Sequence, residues 1–332
     1  MTDSAGAQGT VPELNRNPQA SASIKAQFGP DAQNCLVCGL GLRPRFAAVL
    51  DAKTLEVFSI FECPKCGMGF TVPKPVDLTK YYLNYHGGRH GITNTFSTNH
   101  RIRMLRKLIP NGAGKRLLDI GCGEGTFLLA TKANGWSVAG TEMNSTTARA
   151  AGLEVFPQLS DFCGLATFDC ITLWHSLEHM QDPRATLQVV RNLLTPDGVL
   201  IVAVPDAGGL QARVFGPKWL HLDVPRHLYH FSRQSLENLL QMEGFTPVNE
   251  WHQEFEYDLL GWSQSALNLG TSTPNLFFDL LTGREPPIST MQRIFIWMAG
   301  CVLTGFAIFL IPLGTLTRRG GTIIVAARPG LE

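Results

Sequence analysis

The fold is determined by the stretch Leu117-Leu118-Asp119-Ile120-Gly121-Cys122-Gly123-Glu124-Gly125. An apolar run before alternating glycines predicts a strand that turns tightly into a helix. Glycines let a ligand approach the backbone closely, and the N-terminus of a helix favours anionic groups. Glu142 ends the next predicted strand, about 20 residues further on, where a carboxylate can accept hydrogen bonds from both hydroxyls of a ribose. The pattern predicts a ligand that carries a ribose.

Short apolar runs alternate with helical patterns after this loop. Helices are predicted over 125–133 and 183–194, the second with Asp182 as its N-cap and Pro183 at its first position. Asp197-Gly198 is predicted to turn the chain into the following strand. The alternation predicts the α/β class, with a Rossmann-like, doubly wound sheet of seven strands. The predicted strands are 116–120, 136–142, 153–156, 168–173, 199–204, 245–255 and 322–328.

The composition is that of a globular chain, and 332 residues suffice for about two domains. Hydrophobic residues make up 44% and charged residues 17%, which excludes a disordered or collagenous chain. A formal net charge of +1 gives no overall field to attract nucleic acid, so we expect no nucleic-acid partner. The N-terminus lacks a basic start followed by an apolar run, so we expect no signal peptide and a cytoplasmic location.

Shifts in composition divide the chain into regions. The first thirty residues are rich in Ala, Ser, Gln, Asn and Gly, a composition that does not support a packed core. The predicted regions are a disordered tail (1–30), a cysteine ribbon (31–75), a linker with lid helices (76–110), the main α/β domain (111–256 and 318–332) and an apolar helical insertion (257–317).

Four of the eight cysteines form two C-x-x-C-G knuckles, Cys35 with Cys38 and Cys63 with Cys66. Two residues between thiolates let both sulfurs of one turn reach a metal at about 2.3 Å. Two such pairs close a tetrahedral site with no open position, which predicts a structural Zn²⁺ in a zinc ribbon. The alternatives are a redox C-x-x-C pair and a chance pairing.

Two residues limit the ligand at the glycine loop further. A dinucleotide site requires a third glycine at position 126, where this chain has Thr126. Asp119, which stands two residues before the first glycine, would crowd a pyrophosphate but suits a ligand with an ammonium group. The loop therefore disfavours a nicotinamide oxidoreductase.

Further motifs follow the loop and Glu142. The set is Asp119-x-Gly121-x-Gly123-x-Gly125, Glu142, Phe168-Asp169-Cys170-Ile171 and Leu177-Glu178-His179-Met180. It resembles the class I S-adenosylmethionine-dependent methyltransferases, in particular the small-molecule group that includes the ubiquinone-pathway O-methyltransferases. The resemblance covers 116–204, and the last strand extends it to 328. The ribbon followed by Tyr81-Tyr82 is more loosely similar to methyltransferases of bacterial glycan and secondary-metabolite clusters, including sugar C-methyltransferases.

The resemblance implies S-adenosyl-L-methionine as the cofactor and gives individual residues a role. Glu142 would bind the ribose hydroxyls, Met143 one face of the adenine, and Leu159 its edge. Trp174, at the end of the fourth strand, belongs to the same cofactor site. The methionine part would lie on the loop residues Asp119, Gly121, Cys122, Gly123 and Gly125.

Histidines follow the fourth and fifth predicted strands, at the edge where a doubly wound sheet has its ligand crevice. A base is needed only when the methylated atom is a hydroxyl or an acidic carbon, and histidine titrates near neutrality. We expect His179 or His227 to act as the base, and His175 is a third candidate. The alternatives are helix caps or packed core histidines, and a divalent-metal site formed by His175, Glu178 and His179.

Substrate contacts are expected from two further segments. The loop after the fifth strand contributes Trp219, His221 and Asp223. Tyr82 and Tyr85 are three residues apart, on one face of a helix that precedes the first strand. In this fold such a segment often covers the cofactor, and simple packing is the alternative for these tyrosines.

One segment departs from the pattern of a soluble domain. No charged residue occurs from Ile294 to Thr317, and a helix of that length would reach about 36 Å, enough to cross a hydrocarbon core of about 30 Å. The flanking strands must join one sheet, so a single crossing is excluded. With a predicted apolar helix over 273–283, the segment could form a monotopic foot, and its flanking arginines suit anionic headgroups. The alternatives are a homodimer interface and a substrate tunnel. The flanking arginines are Arg284, Arg293, Arg318 and Arg319.

The expected function is methyl transfer to a small-molecule or lipid-linked acceptor, either a glycan intermediate or a quinone-like lipid, in the cytoplasm or at the cytoplasmic face of the membrane. An RNA-binding zinc-ribbon methyltransferase is the first alternative. The near-zero net charge and the sequence Leu173-Trp174-His175-Ser176, which lacks the Asn/Asp-Pro-Pro-aromatic motif, argue against it. The second alternative is a scaffold that binds the cofactor without turnover.

Overall fold

The computed structural model describes residues 34–82, 92–162, 164 and 167–330. The described strands are β1 (Arg43–Leu50), β2 (Val57–Glu62), β3 (Gly69–Val72), β4 (Arg116–Ile120), β5 (Ser137–Thr141), β6 (Glu154–Phe156), β7 (Phe168–Trp174), β8 (Leu194–Pro205), β9 (Tyr229–His230), β10 (Phe245–Trp251) and β11 (Thr322–Pro329). The described α-helices are α1 (Thr79–Tyr82), α2 (Ile92–Leu108), α3 (Thr126–Ala133), α4 (Thr146–Ala150), α5 (Pro183–Leu193), α6 (Leu210–Phe215), α7 (Arg233–Met242), α8 (Phe255–Gly270), α9 (Leu276–Leu281) and α10 (Thr290–Leu316).

The large sheet has the strand order β10-β11-β8-β7-β4-β5-β6. The five strands from β6 to β8 in this order run parallel, whereas β11 is antiparallel to both of its neighbours. Successive residues of β4 pack into hydrophobic clusters on opposite faces, as Leu117 and Leu118 do, because helices cover both sides. The predicted fold class, a doubly wound seven-stranded α/β sheet, is confirmed.

Two predicted boundaries near β8 and β10 differ from the structure. β8 begins at Leu194, and its pairing advances from 194 to 199 while β7 advances only from 168 to 170. Asp197-Gly198 therefore lies in a bulge within the strand, not in a turn before it. β10 ends at Trp251, because Glu254 is already the N-cap residue of α8. Asp182 caps α5 as predicted, and its Oδ1 accepts from the backbone N–H groups of Arg184 and Ala185 at 3.0 Å.

A second sheet joins the cysteine-rich segment to the main domain. Its order is β1-β2-β3-β9, and the short strand β9 comes from the loop that follows β8. Gly69 pairs with His230 and Phe70 with Tyr229. A Cβ at Gly69 would lie 2.8 Å from the Cβ of His230, so the close approach requires glycine there. The small sheet is thus completed by the domain on which it rests.

A buried ion cluster strengthens the same junction. The guanidinium of Arg226 lies 3.0 Å from Asp51 of the ribbon and 2.5 Å from Asp223. It also donates to the carbonyl of Tyr81 at 3.3 Å. Burial alone would raise the pKa of Asp223, but Arg226 and His227 hold that pKa well below its usual range. One cation therefore ties together the ribbon, α1 and the loop after β8.

The uncharged run forms α10, which packs along α8. The buried residues of α10 include Gly300, Ala307 and Gly314, and small residues let helices approach closely. The two strands that flank the insertion, β10 and β11, are neighbours in the sheet, so both ends of α10 return to the same domain. The predicted helix over 273–283 is shorter, and Leu276, Phe277 and Leu280 are buried.

We predict that Arg226→Ala lowers the free energy of unfolding by about 3–5 kcal/mol, the scale for removing one partner of a buried ion cluster. The reason is that Asp51, which is fully buried, and Asp223, whose side chain is 14% exposed, would lose their shared cation. Denaturant unfolding measures the change. The matched control is Arg103→Ala on the exposed face of α2, which should change stability by less than about 0.5 kcal/mol. Equal effects of the two variants would contradict a role for Arg226 at the junction.

Candidate active site

The glycine loop lies where β4 turns into α3, at the carboxyl edge of the parallel strands. Asp119 is buried near the end of β4 and accepts a hydrogen bond from Thr172 of β7 at 2.6 Å. Burial raises the pKa of Asp119 to about 6, although Thr172 and Arg101 oppose the rise. Gly121 has a φ of 77°, and a Cβ there would lie 2.8 Å from the Cβ of Ser176. The loop thus needs glycine at this position.

Glu142 follows β5 and faces the glycine loop. Its Oε2 accepts from the backbone N–H of Gly123 at 3.0 Å, and its Oε1 accepts from that of Asn144 at 3.1 Å. Each carboxylate oxygen can accept a further hydrogen bond, so the side chain remains able to bind two hydroxyls. A Cβ at Gly123 would meet nothing within 4 Å, so this side of the loop is open to a ligand. The two acids and the open loop fit a ligand with a ribose and an ammonium group.

The other predicted cofactor residues differ in their surroundings. Met143 is 91% exposed, so its side chain is available to cover a ring. Leu159 opens a short 3₁₀ turn and packs against the core. Trp174 is buried, with the guanidinium of Arg101 4.6 Å from its ring centroid. Cys122 is part of the loop, and the burial of its side chain raises the pKa of its thiol. Tyr85 lies outside the described residues.

His175 is held as a cation. Its Nε2 lies 2.5 Å from Oε2 of Glu254, and its ring stacks on Tyr257 at 3.7 Å between centroids. Burial alone would lower the pKa of His175, but Glu254 and Glu178 raise it to about 9. Glu254 is also paired with Arg101 at 2.6 Å. A protonated ring cannot accept a proton, so this geometry gives His175 a positioning role.

His227 and His221 are held neutral. His227 Nδ1 lies 2.9 Å from the carbonyl of His221, and His221 Nε2 lies 3.0 Å from the carbonyl of Tyr257. A carbonyl oxygen only accepts hydrogen bonds, so Nδ1 of His227 and Nε2 of His221 must each carry a proton. Burial lowers the pKa of each ring to about 4. The lone pair of His227 is therefore on Nε2, which lies 3.9 Å from Glu178.

His179 is the half-buried member of the group. Its Nδ1 lies 2.9 Å from both the carbonyl of Arg226 and the hydroxyl of Tyr82. The contact with the carbonyl requires a proton on Nδ1, so Nε2 keeps its lone pair. The ring centroids of His179 and His227 are 4.7 Å apart. The structure thus brings together His179, His227 and Tyr82.

Glu178 completes this group. Its side chain is buried, and within the described part of the chain neither carboxylate oxygen has a hydrogen-bond partner. Burial would raise its pKa, but His175, His227 and His179 lower it. One ligand atom from each of Glu178, His179 and His227 lies within 4.8 Å of the others, an arrangement that could hold a divalent cation. The metal site considered from the sequence consisted of His175, Glu178 and His179. In the structure His175 faces Glu254 instead, and His227 is the third possible ligand.

The loop after β8 places its other predicted residues beside the histidines. Trp219 is buried and donates its indole N–H to Gln211 at 3.2 Å, and Asp223 is bound by Arg226. Trp219 and Asp223 line a cavity of about 100 Å³ that also touches Leu50 of β1. Sequence analysis did not single out Glu254, Tyr257 or Arg226. All three stand in polar stretches, 221–230 and 249–258, that carry no recognisable motif.

The four predicted zinc ligands converge. The Sγ atoms of Cys35, Cys38, Cys63 and Cys66 all lie within 4.8 Å of one another. Backbone N–H groups of Val37 and Cys38 point to the sulfur of Cys35 at 3.4 Å. Four thiolates without an open position are the donor set of a structural zinc site. These residues would hold the metal at the base of β1–β3.

Comparison with known proteins concerns the α/β domain. Residues 97–250 match the family model described as a methyltransferase domain. The ubiquinone biosynthesis O-methyltransferase of Actinobacillus pleuropneumoniae serotype 5b is 35% identical over 103 residues, which are 26% of this chain and 44% of that protein. That of Cereibacter sphaeroides strain KD131 is 27% identical over 176 residues, 48% of this chain and 71% of that protein. The chain thus spans less than half the length of the first of these relatives.

Solved methyltransferases align over larger shares at lower identity. A SAM-dependent methyltransferase from Archaeoglobus fulgidus aligns with a TM-score of 0.46 and 17% identity, covering 75% of this chain and 99% of that one. The 1,6-didemethyltoxoflavin-N1-methyltransferase of Burkholderia thailandensis aligns with a TM-score of 0.46 and 15% identity, covering 87% of this chain and all of that one.

The strand order, with its antiparallel last strand, and the acid-glycine loop define a Rossmann-like methyltransferase fold. The match of residues 97–250 to a methyltransferase domain supports the resemblance to the class I S-adenosylmethionine-dependent methyltransferases, and a four-cysteine ribbon precedes these residues. The resemblance inferred from the sequence is confirmed.

We predict one zinc ion per chain, lost in Cys63→Ser. Metal binding contributes to the folding of such a small module, so chelation should also lower the temperature at which β1–β3 unfold. Elemental analysis and thermal unfolding measure the two effects. Cys301→Ser is the control, because Cys301 is exposed on α10 and outside the cluster. Metal-free protein of full stability, purified without a chelator, would refute the site.

We predict that His175 makes stability depend on pH on the alkaline side. Its pKa rises from 6.5 to about 9 on folding, so protonation of the ring stabilises the folded state. That contribution is complete below the unfolded pKa and is lost as the pH rises through about 9. The difference in Tm between wild type and His175→Asn should therefore shrink between about pH 6 and about pH 9.5. Asn tolerates the φ of 52° at this position, and a difference independent of pH would contradict the assignment.

Proposed function

We propose that this chain transfers the methyl group of S-adenosylmethionine to a small-molecule or lipid-linked acceptor, a glycan intermediate or a quinone-like lipid. The observation that carries the proposal is the position of the histidines. The acid-glycine loop with Glu142 and the cluster of Glu178, His179 and His227 follow strands of the same parallel sheet, at one carboxyl edge. A cofactor site and a proton-accepting site therefore adjoin, as methyl transfer to a protonated acceptor requires.

The cofactor site supplies orientation. When bound, S-adenosylmethionine provides a methyl group that its sulfonium already activates, so alignment is the main task of the protein. Glu142 would accept the ribose hydroxyls while it stays anchored to Gly123 and Asn144. Asp119 is fixed by Thr172 and would face the ammonium group, whose positive charge favours the ionised carboxylate.

His179 is proposed as the proton acceptor for a hydroxyl acceptor. It is the half-buried ring, whereas His227 is buried, so a ligand can reach His179 first. Its Nδ1–H is committed to the carbonyl of Arg226, and Nε2 would take the proton from the acceptor oxygen. The anionic Glu178, which lies beside the rings, would stabilise the imidazolium that forms.

The class of acceptor is supported by two facts. The curated relatives act in ubiquinone biosynthesis by their names, although the chain spans less than half of the first of them. An apolar helix, α10, packs on α8, whose first turns carry Tyr257 of the site. Both facts favour an apolar or lipid-linked acceptor, taken up at the cytoplasmic face of the membrane. The near-zero net charge argues against RNA as the acceptor.

We predict that Glu142→Ala weakens binding of S-adenosylhomocysteine by about 1–3 kcal/mol, the scale of lost hydrogen bonds to a charged group. Isothermal titration calorimetry measures the affinity. Glu154→Ala is the matched control, since it removes an exposed carboxylate from β6, away from the loop. Tight binding of NAD, or an unchanged affinity in Glu142→Ala, would count against the cofactor assignment.

Transfer itself can be tested before the acceptor is known. S-adenosylmethionine labelled in its methyl group is incubated with protein and a cell extract, and label is counted in the aqueous, RNA and chloroform fractions. We expect label in the chloroform fraction, and His179→Ala should lower the rate by about 10²–10⁴ while affinity for S-adenosylhomocysteine is retained. A rate that falls only in His227→Ala would overturn the choice of base. Binding without any transfer would favour the scaffold.

A further inference from the structure

The outer face of α10 is apolar over most of its circumference. At 100° per residue, the exposed positions of this helix span an arc of about 220°. Phe306 is 65% exposed and Phe309 is 79% exposed. Only 22% of the most apolar 18-residue stretch of α10 is buried, and the mean hydropathy of that stretch is 2.4. Other large exposed side chains on the helix are Phe295, Trp297, Met298, Val302, Ile308, Leu313 and Leu316.

The topology restricts what can cover this face. β10 and β11 are paired neighbours in one sheet, and α10 enters from and returns to that sheet. The helix also packs along α8, and its buried Gly300 and Gly314 closely approach Phe277 of α9 and Gly320 respectively. A helix fixed along the domain surface cannot cross a bilayer, but it can lie in the interface with its outer face in the acyl region.

The charges at the helix ends complement anionic lipid. Arg293 stands in the first turn, and Arg318 and Arg319 follow the last. A cation in the first turn opposes the helix dipole, so helix stability does not account for Arg293. The ion pair of Arg318 with Glu250 is long, at 3.4 Å, and the Arg318 side chain is 67% exposed. Arg319 is also exposed. Cations at both ends of an uncharged helix are the arrangement expected when both ends lie among headgroups.

A second copy of the chain fits the same face less well. Helix pairs bury a stripe of roughly 100° in the manner of a core-facing helix, so a partner helix would leave more than half of this arc in water. The small residues that permit close helix approach already face inward, and the outward residues are large. A fluid apolar phase can cover the whole arc.

We propose that the outer face of α10 is a monotopic attachment site for anionic lipid bilayers, with the helix axis parallel to the membrane plane. The apolar face of α9 takes no part, because Leu276, Phe277 and Leu280 are buried in the cluster that includes Ile296 of α10. The proposal concerns binding to lipid only and holds whether or not the domain transfers methyl groups.

Flotation with vesicles tests attachment. Full-length protein should float with phosphatidylcholine vesicles that contain phosphatidylglycerol, and less with phosphatidylcholine alone. The double variant Phe306→Asp and Phe309→Asp should lower the bound fraction at least tenfold, and Arg318→Gln with Arg319→Gln should abolish the preference for anionic lipid. The matched control is Val57→Asp with Val76→Asp, which adds the same charge at exposed valines outside α10. Circular dichroism checks that each variant is folded.

Three outcomes would overturn the proposal. The first is wild-type protein that floats with neither kind of vesicle and remains a monomer. The second is wild-type protein that does not float with either kind of vesicle and is a dimer by light scattering, while the double Asp variant is a monomer. In that case a second copy of the chain covers the outer face of α10. The third is equal flotation of wild type and the double Asp variant.

The orientation of the helix is tested by depth-dependent quenching with brominated lipids. Met298 lies near the start of the exposed face and Phe309 nearer its end, at almost the same angle about the helix axis. A helix parallel to the membrane places the indoles introduced by Met298→Trp and by Phe309→Trp, each in a Trp297→Phe background, at the same shallow depth. Depths that differ by half the hydrocarbon thickness or more would show a crossing helix and refute the parallel orientation.

Discussion

The rest of the site depends on the ion pairs that the guanidinium of Arg226 forms. It is almost fully buried, and its charge is matched by Asp223 on its own loop and by Asp51 on the ribbon. Its backbone carbonyl fixes the tautomer of His179, and the next residue in the chain is His227. A displaced Arg226 would therefore disturb the junction of the two sheets and the imidazoles of both His179 and His227. Buried ion clusters contribute little net stability, so the value of this one lies in defining a geometry.

The site holds histidines of two kinds within a few ångströms. His175 is protonated because Glu254, which Arg101 also binds, lies against its Nε2. His221 and His227 are neutral because burial dominates and their proton donors bind carbonyls, which carry no net charge. The rings are chemically identical, so the difference in protonation comes from the groups that each ring faces. A charged ring supports the site and a neutral ring can react.

The sequence pattern was sufficient for features set by local or repeated signals. The alternating strands, the glycine turn, the Asp182 cap and the paired knuckles each depend on residues close together in the chain, where propensity and spacing act directly. The pattern failed where distant segments meet. The two-residue strand β9 has no periodicity to detect, and Glu254 shows its purpose only when α8 brings it to His175, 79 residues away in the chain. The burial of the apolar face of α9 likewise depends on α10, which follows it.

The pairing of β3 with β9 has a consequence for the order of assembly. The hydroxyl of Ser232 donates to the carbonyl of Cys66, residues that are 166 positions apart in the chain. During synthesis the cysteine knuckles leave the ribosome long before the strand that completes their sheet. Until then the nascent chain presents β3 as an unpaired edge, and such edges promote wrong association. Metal captured early would keep this edge in a fixed shape while the ribosome makes the remainder, so zinc supply during translation would influence the yield of correctly assembled protein.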